Sequence, residues 1–368
     1  MNKAPFRHDI VGSFLRPESL KKAREDCSNG IITKEELKRV EDNEIVKLID
    51  KQKENGLKAV TDGEFRRRWW HLDFIEQLNG IKKVSLGDIE LFNVNAKDVE
   101  SFYVEDEISF SQNHSFINDF NFMKENAGDL LVKQTIPGPN MIYNSYIFMN
   151  DNKTSNPYYN NVEKFESDLA ETYQDIIETF YNEGCKYLQL DDTSWGALID
   201  PKYQAQLKEL GYDYKELIQR YGEVTENALK NKPDDMVITI HVCRGNFQSS
   251  WLYEGDYEAI AKRLFGIEAI DGFFMEYDTD RAGGFESLKY LKNQKIVLGL
   301  VTTKNTEMES KDVLIERINE ASKYVPLSQI CISPQCGFAS TVEGNKMNEE
   351  VQWAKIRLCK EVADEVLK

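Results

Sequence analysis

Basic charge is in short supply in this chain. It carries 46 lysines and arginines against 63 aspartates and glutamates, a formal net charge of -17. A nucleic-acid binder shows a basic face. None stands out, so no nucleic-acid partner is expected, and the acidity reads as solubility. Long hydrophobic runs are also missing. No apolar stretch approaches the roughly 20 residues that cross a bilayer. The N-terminal MNKAPFRHDIVGSF has no apolar core behind a basic start. No membrane partner and a cytoplasmic location are the expectations. Cysteine is sparse: Cys27, Cys185, Cys243, Cys331, Cys336 and Cys359 are scattered over 368 residues. That scatter argues against a disulfide framework and for reduced thiols, with one or two free to ligate metal. Low-complexity segments, short repeats and Gly/Ser linkers are absent. One continuous domain over residues 1–368 is expected.

What is present is a rhythm. Apolar runs rich in Val, Ile and Leu fall at 9–14, 58–64, 130–139, 186–192, 236–243, 272–278, 295–303 and 329–336. Nearly continuous apolar runs suit strands buried on both faces, hence a parallel sheet. Amphipathic segments separate them. One opens on Thr33 with Glu36 three residues later, a capping box, and stops at Gly56; another runs from Asn161 to Gly184. Eight such units predict an α/β fold, a (β/α)8 TIM barrel; a doubly wound open sheet is the alternative. The rhythm breaks once. Residues 81–130 alternate polar and apolar side chains (KKVSL, IELFNV, SFYVEDEISF) and predict a small β-rich insertion between the second and third strands, then a helix near 113–127.

The ends of the runs are unusually polar. They carry Ser13, Asp62, Glu64, Asp191, Asp192, His241, Cys243, Glu276, Asp278, Thr302, Thr303 and Cys336. In a barrel this is the reactive face, and burying charges without partners is costly, so the pattern favours an active site. His241, Cys243, Glu276 and Cys336 form an N, S, O, S set that suits zinc. They come from three separate runs, so the fold must exist before the site does, which implies a catalytic metal. A lone Cys or His at a strand end is usually a core residue; four matching ends together are not. His8, His71 and His114 have no cysteine company, and His71 and His114 read as structural or surface residues. Cys27, Cys185 and Cys359 read as inert and Cys331 as core.

At these residues the sequence resembles the cobalamin-independent methionine synthases. HVC in the fifth run, the glutamate of the sixth and SPQCGF after the eighth look like their zinc site. The likeness runs from DIVGSF to CGFAST, nearly the whole chain, and is strongest to the short, single-barrel bacterial forms. It implies zinc on His241, Cys243, Glu276 and Cys336, beside Gly337. It implies that Gly12 and Ser13 hold an amino-acid carboxylate. The family's Gly-Glu matches Gly63 and Glu64, and its Gln-x-Asp matches Gln189 and Asp191; the two acids would bind the ammonium group. The implied reaction is methyl transfer to the thiol of homocysteine, with a 5-methyltetrahydrofolate as donor.

Two departures lie on the donor's side. GPNMIYNSY has no tryptophan, leaving Tyr143 or Tyr146 as an aromatic face, and LGLVTTKNTE offers Lys304 where the long enzymes have a histidine. Asp278, Lys304 or a water would then protonate the leaving nitrogen. Arg66, Arg67 and Arg68 beside Trp69 and Trp70 could receive a flat anionic donor, or be a solvated loop. Arg281 and the glycines after it are a further hint of an anion contact. Competing readings are alkyl transfer to a thiol from a methyl-corrinoid or an epoxide, a structural-zinc barrel, and a metal-free decarboxylase-like barrel. A homo-oligomer is compatible with all of them.

Overall fold

The computed structural model describes residues 4–91, 94–149 and 156–367. Seven parallel strands follow the expected rhythm: β1 (Ala59–Val60), β4 (Leu131–Pro137), β5 (Tyr187–Asp192), β6 (Val237–Val242), β7 (Gly272–Glu276), β8 (Lys295–Val301) and β9 (Ile330–Pro334). They pair in that order as one curled parallel sheet. Between β1 and β4 stands an antiparallel hairpin, β2 (Asn79–Leu91) with β3 (Val94–Ser109), followed by a helix at Ser115–Asn126. This is the excursion expected at 81–130. The capping box is formed: Glu36 N donates to Thr33 Oγ1 at 3.1 Å and Thr33 N to Glu36 Oε2 at 2.8 Å, opening the helix Lys34–Glu54.

The first run differs from expectation. Residues 9–14 make no regular strand, only an isolated parallel bridge from His8 to Ile332. The segment still occupies the eighth place. Asp9 N donates to Ile332 O on one side, and Phe14 N donates to Gly63 O on the other. Its carbonyls are taken by side chains from inside the barrel instead of a ladder. Lys133 Nζ donates to Ile10 O, Gln189 Nε2 to Val11 O at 2.7 Å, and Thr61 Oγ1 to Gly12 O at 2.6 Å. The second strand is likewise shorter than its run, because Gly63 (φ 68°) and Glu64 (φ 60°) turn into the left-handed region.

Strand periodicity sorts the side chains. Leu188, Leu190, Ile238, Ile240, Val242, Phe273 and Met275 point outward into the main core shared with the helices. The alternate residues point inward. Near the N-terminal ends Val11, Phe274, Val297 and Cys331 form a small apolar plug. Further along, the inward positions become polar, and these carry the site.

Candidate metal centre and substrate cavity

Asp191 and His241 occupy paired positions on β5 and β6, one step up from the pair Gln189 and Thr239. Parallel pairing therefore sets the two side chains next to each other, with His241 Nδ1 3.1 Å from Asp191 Oδ1. Gln189 Nε2 steadies the same carboxylate oxygen at 2.8 Å. Cys243 lies just past the end of β6, Glu276 ends β7, and Cys336 follows β9. The four expected ligands converge: His241, Cys243, Glu276 and Cys336 each bring one ligand atom within 4.8 Å of the others, and all four are buried. The sulfurs of Cys243 and Cys336 are 3.6 Å apart.

The electrostatics suit a cation. Hydrogen bonding from Cys243 outweighs burial and lowers the Cys336 thiol to about 5, while Cys243 is raised by that same bond and by burial. Burial lowers the His241 imidazole, but the hydrogen bond to Asp191 and the neighbouring Cys336 sulfur prevail and raise it to about 10. The charges that favour a proton there favour a metal ion equally. His241 Nε2 is buried with no hydrogen-bond partner, as a ligand nitrogen awaiting a metal would be. An imidazole that ligates through one nitrogen and meets a carboxylate with the other is the usual arrangement of zinc sites. The residues present fit zinc.

Glu276 is more heavily engaged than its partners. Its Oε1 accepts from Arg244 N at 2.8 Å and its Oε2 from Arg281 Nη2 at 2.7 Å. Burial raises its pKa, but Lys304 and Arg281 more than compensate and hold it below the usual carboxylate range. Arg281 also bonds Asp278 Oδ1 at 2.9 Å. Arg281 therefore serves two carboxylates, which differs from the anion contact suggested by its sequence position.

A cavity of about 250 Å³ opens over the ligands, lined by His241, Cys243 and Cys336 together with Ser13, Glu64 and Asp191. Burial pushes Glu64 up to about 7 against the pull of Arg67, and its Oε2 is buried without a partner. Ser13 Oγ accepts from Ala339 N at 3.2 Å. Gly12 is not among the lining residues; a Cβ there would stand 2.8 Å from Thr135 Cγ2. Gly337 leaves room for Ser13, since a Cβ would fall 1.9 Å from Ser13 Oγ and force that hydroxyl to shift.

The donor-side expectations fare differently. Arg66 pairs with Asp42 at 2.7 Å and Asp119 at 2.8 Å, and Arg68 with Glu100 at 3.6 Å. Arg67 is buried, donating to Thr135 O at 2.8 Å and lying 3.5 Å from Glu64 Oε1. Tyr143 is buried with its hydroxyl on Glu166 Oε1 at 2.7 Å. None of the four lines the cavity. Each is held elsewhere: Arg66 and Arg68 by carboxylates of neighbouring elements, Arg67 by Thr135 and Glu64, and Tyr143 by Glu166. Asp278 and Lys304 are not in the lining either. Lys304 Nζ donates to Gly245 O and Asn246 Oδ1, both at 3.2 Å.

In their place the cavity is walled by Trp69, Trp70, His71 and Phe247, with Leu86, Ile89 and Val99 from the hairpin. Trp69 stacks on Phe247 with ring centroids 5.8 Å apart. His71, read from sequence as structural or surface, is part of this wall, and burial lowers its imidazole to about 4. Arg16 was also missed. It is buried and donates to Glu64 O at 2.6 Å and to Ala339 O, tying the loops after β1 and β9 together. Only a position after Ser13 hinted at it.

A parallel α/β barrel with a buried cysteine–histidine–glutamate cluster at the C-terminal strand ends defines a class of barrel proteins with a candidate metal centre. Within it, the chain belongs to the family described as cobalamin-independent synthase, catalytic domain, whose pattern matches residues 6–364. It is 46% identical over 369 residues to the uncharacterized protein YxjG of Bacillus subtilis, covering 100% of this chain and 96% of that one. A methionine synthase of Pyrococcus furiosus is 23% identical, covering 89% of this chain and 85% of its own length. Among solved structures, a proposed vitamin-B12 independent methionine synthase of Listeria monocytogenes matches with TM-score 0.77 and 39% identity, covering 100% and 99%. A B12-independent methionine synthase from Shewanella sp. W3-18-1, in complex with selenomethionine, shares the fold with TM-score 0.71 at 17% identity, covering 98% and 97%.

Proposed function

We propose that this chain is a zinc-dependent S-methyltransferase that moves a methyl group, from a 5-methyltetrahydrofolate, to the thiol of homocysteine to form methionine. One observation carries the reading. His241, Cys243 and Cys336 of the four-residue cluster line one cavity with an unpartnered Glu64 oxygen, Asp191 and Ser13, so a thiol and an amino-acid head group can be held side by side.

His241, Cys243, Glu276 and Cys336 would hold the zinc, which supplies a Lewis acid that keeps a coordinated thiol ionised while it remains nucleophilic. The chain's own residues do the rest. Glu64 and Asp191 take the α-ammonium, and Ser13 Oγ donates to the α-carboxylate. Asp191 also holds the His241 ring in orientation through Nδ1. Arg281 and the Arg244 backbone amide fix the two oxygens of Glu276. The apolar wall of Trp69, Trp70 and Phe247 excludes water and aligns the methyl carbon with the sulfur. A sulfur–carbon bond forms, a carbon–nitrogen bond breaks, and the leaving nitrogen is protonated.

Zinc content of wild type and Cys336→Ser, followed by zinc-edge X-ray absorption with and without homocysteine, tests this. One zinc per chain, lost in the variant, with one more sulfur neighbour when homocysteine is added, is the expected result. Zinc with an unchanged coordination shell would indicate a structural metal, and no zinc in chelator-free preparations would refute the assignment.

A further inference from the structure

Of the arginines that follow Glu64, Arg66 and Arg68 are matched by carboxylates of neighbouring elements, whereas Arg67 is buried. Its guanidinium is held from several directions. Nη2 donates to Thr135 O at 2.8 Å and to Thr135 Oγ1 at 3.0 Å, and Nη1 donates to Trp70 O at 3.2 Å. The guanidinium carbon stands 4.6 Å from the centre of the Phe116 ring. Its ion pair is with Glu64, Nη1 to Oε1 at 3.5 Å. A planar, permanently charged group fixed in this way cannot swing out to solvent.

The two oxygens of Glu64 have different surroundings. Oε1 lies against Arg67 and accepts from Thr135 Oγ1 at 3.5 Å. Oε2 is buried without a partner, on a side chain that lines the cavity beside the metal cluster. The backbone is fixed as well. Glu64 is left-handed (φ 60°), which is uncommon for a residue with a side chain. Its carbonyl accepts from Arg67 N at 3.0 Å and from Arg16 Nη2 at 2.6 Å. A buried carboxylate oxygen left unsatisfied is costly to keep, and in a cavity it marks a place for a donor on the ligand. Arg67 and Arg16 favour the charged form of Glu64, while Asp191 and Asp62 oppose it. Arg16 is already spread over the carbonyls of Phe14, Glu64, Arg67 and Ala339.

We propose that Arg67 is a positioning residue for amino-acid recognition: clamped by Thr135, it holds Glu64 Oε1 and so presents a charged Oε2 to the ammonium group of the thiol substrate. This rests on the role given to Glu64 above. It makes the choice of substrate depend on pH. Burial sets Glu64 at about 7, and a protonated Glu64 has no charge to offer an ammonium. The preference for an amino thiol over the same thiol without its amine therefore grows as pH rises through about 7. Removing Arg67 withdraws the strongest pull toward the carboxylate, so the same preference appears only at higher pH.

The test compares homocysteine with 4-mercaptobutanoate, which lacks only the amino group, by calorimetric titration of the zinc-loaded protein. In both ligands the thiol meets the metal, so the ratio of the two affinities reports the ammonium contact. In wild type this ratio is expected to rise about tenfold between about pH 6 and pH 8.5. In Arg67→Met the rise is expected about one pH unit higher or more, with zinc still bound, and in Arg67→Lys, which keeps the charge, between the two. Thr135→Val, which removes the hydroxyl between Arg67 and Glu64, is expected to shift it in the same direction by less. A flat ratio in wild type, or a midpoint that neither Arg67→Met nor Thr135→Val moves, would overturn the proposal while leaving zinc–thiol binding intact. Equal loss of both thiols in Arg67→Met and Arg67→Lys would reduce Arg67 to a support of the loop. Binding of neither thiol to wild type would bring down the amino-thiol reading and the role of Arg67 together.

Discussion

Asp191 shows how one residue can take two duties. It faces the cavity that the amino acid would enter, and it also holds His241 by Nδ1 at 3.1 Å. Replacing it with Asn keeps the shape but removes the charge that orients and polarises the ring. Asp191→Asn should weaken zinc binding by about 10- to 100-fold, measured by competition with a chromophoric chelator. Gly337→Ala addresses a different part of the site. The new Cβ would displace Ser13 Oγ, so homocysteine affinity should fall at least tenfold while zinc content stays at one per chain. Loss of zinc in that variant would mean that the whole loop had moved. Glu64 links the site to pH. Its folded pKa is raised from 4.5 to about 7 by burial, so the folded chain holds the proton more tightly than the unfolded one. The associated stability is complete below about 4.5 and is lost as pH rises through about 7. Wild type should lose on the order of 3 kcal/mol relative to Glu64→Gln between about pH 5 and pH 8 in urea unfolding. A constant difference would show that Glu64 is ionised throughout.

Among the elements, the N-terminal segment is the most informative. DIVGSF reads as a strand because its residues are apolar, and it does stand in a strand's place. It lacks a ladder because Lys133, Gln189 and Thr61 take its carbonyls, and no local pattern in residues 9–14 could reveal those partners. Lys133 is the centre of this contact. It is fully buried, 3.4 Å from Asp9 Oδ1, and 4.0 Å from the centre of the Phe274 ring. Tyr187 adds a hydrogen bond to Asp9 Oδ2 at 2.9 Å. Removing one member leaves a buried charge uncompensated, which costs about 3–5 kcal/mol. Lys133→Met should therefore destabilise by that order, and Asp9→Asn added to it should recover part of the loss. Urea unfolding of both single variants and the double variant measures the coupling; simple additivity would show that the pair does not interact. The capping box of Thr33 and the periodic helices were legible because their signals are local. The arginine-rich loop was not, since Asp42 and Asp119, which neutralise Arg66, lie far from it in sequence.

For the whole molecule, the order of assembly matters. The four candidate ligands stand at the ends of β6, β7 and β9, held by a sheet whose core does not include them. The fold should therefore form without metal. Stripping zinc with a chelator is expected to leave the far-UV circular dichroism unchanged and to lower Tm by only a few degrees, as expected when a ligand that binds only the folded state is withdrawn. Unfolding on chelation would mark the site as structural. Among the described residues no helix is long and apolar enough to cross a membrane.

Residue order alone determined the barrel, the hairpin excursion and the four residues of the candidate metal cluster. Strand period and run length are local properties, and His, Cys and Glu stand out against apolar runs. Tertiary structure alone decided which charges remain free. Arg66 and Arg68 were claimed by distant carboxylates, and His71 was turned into the cavity wall. Those outcomes depend on which side chains meet across the barrel, and residues far apart in sequence meet only once the sheet has curled.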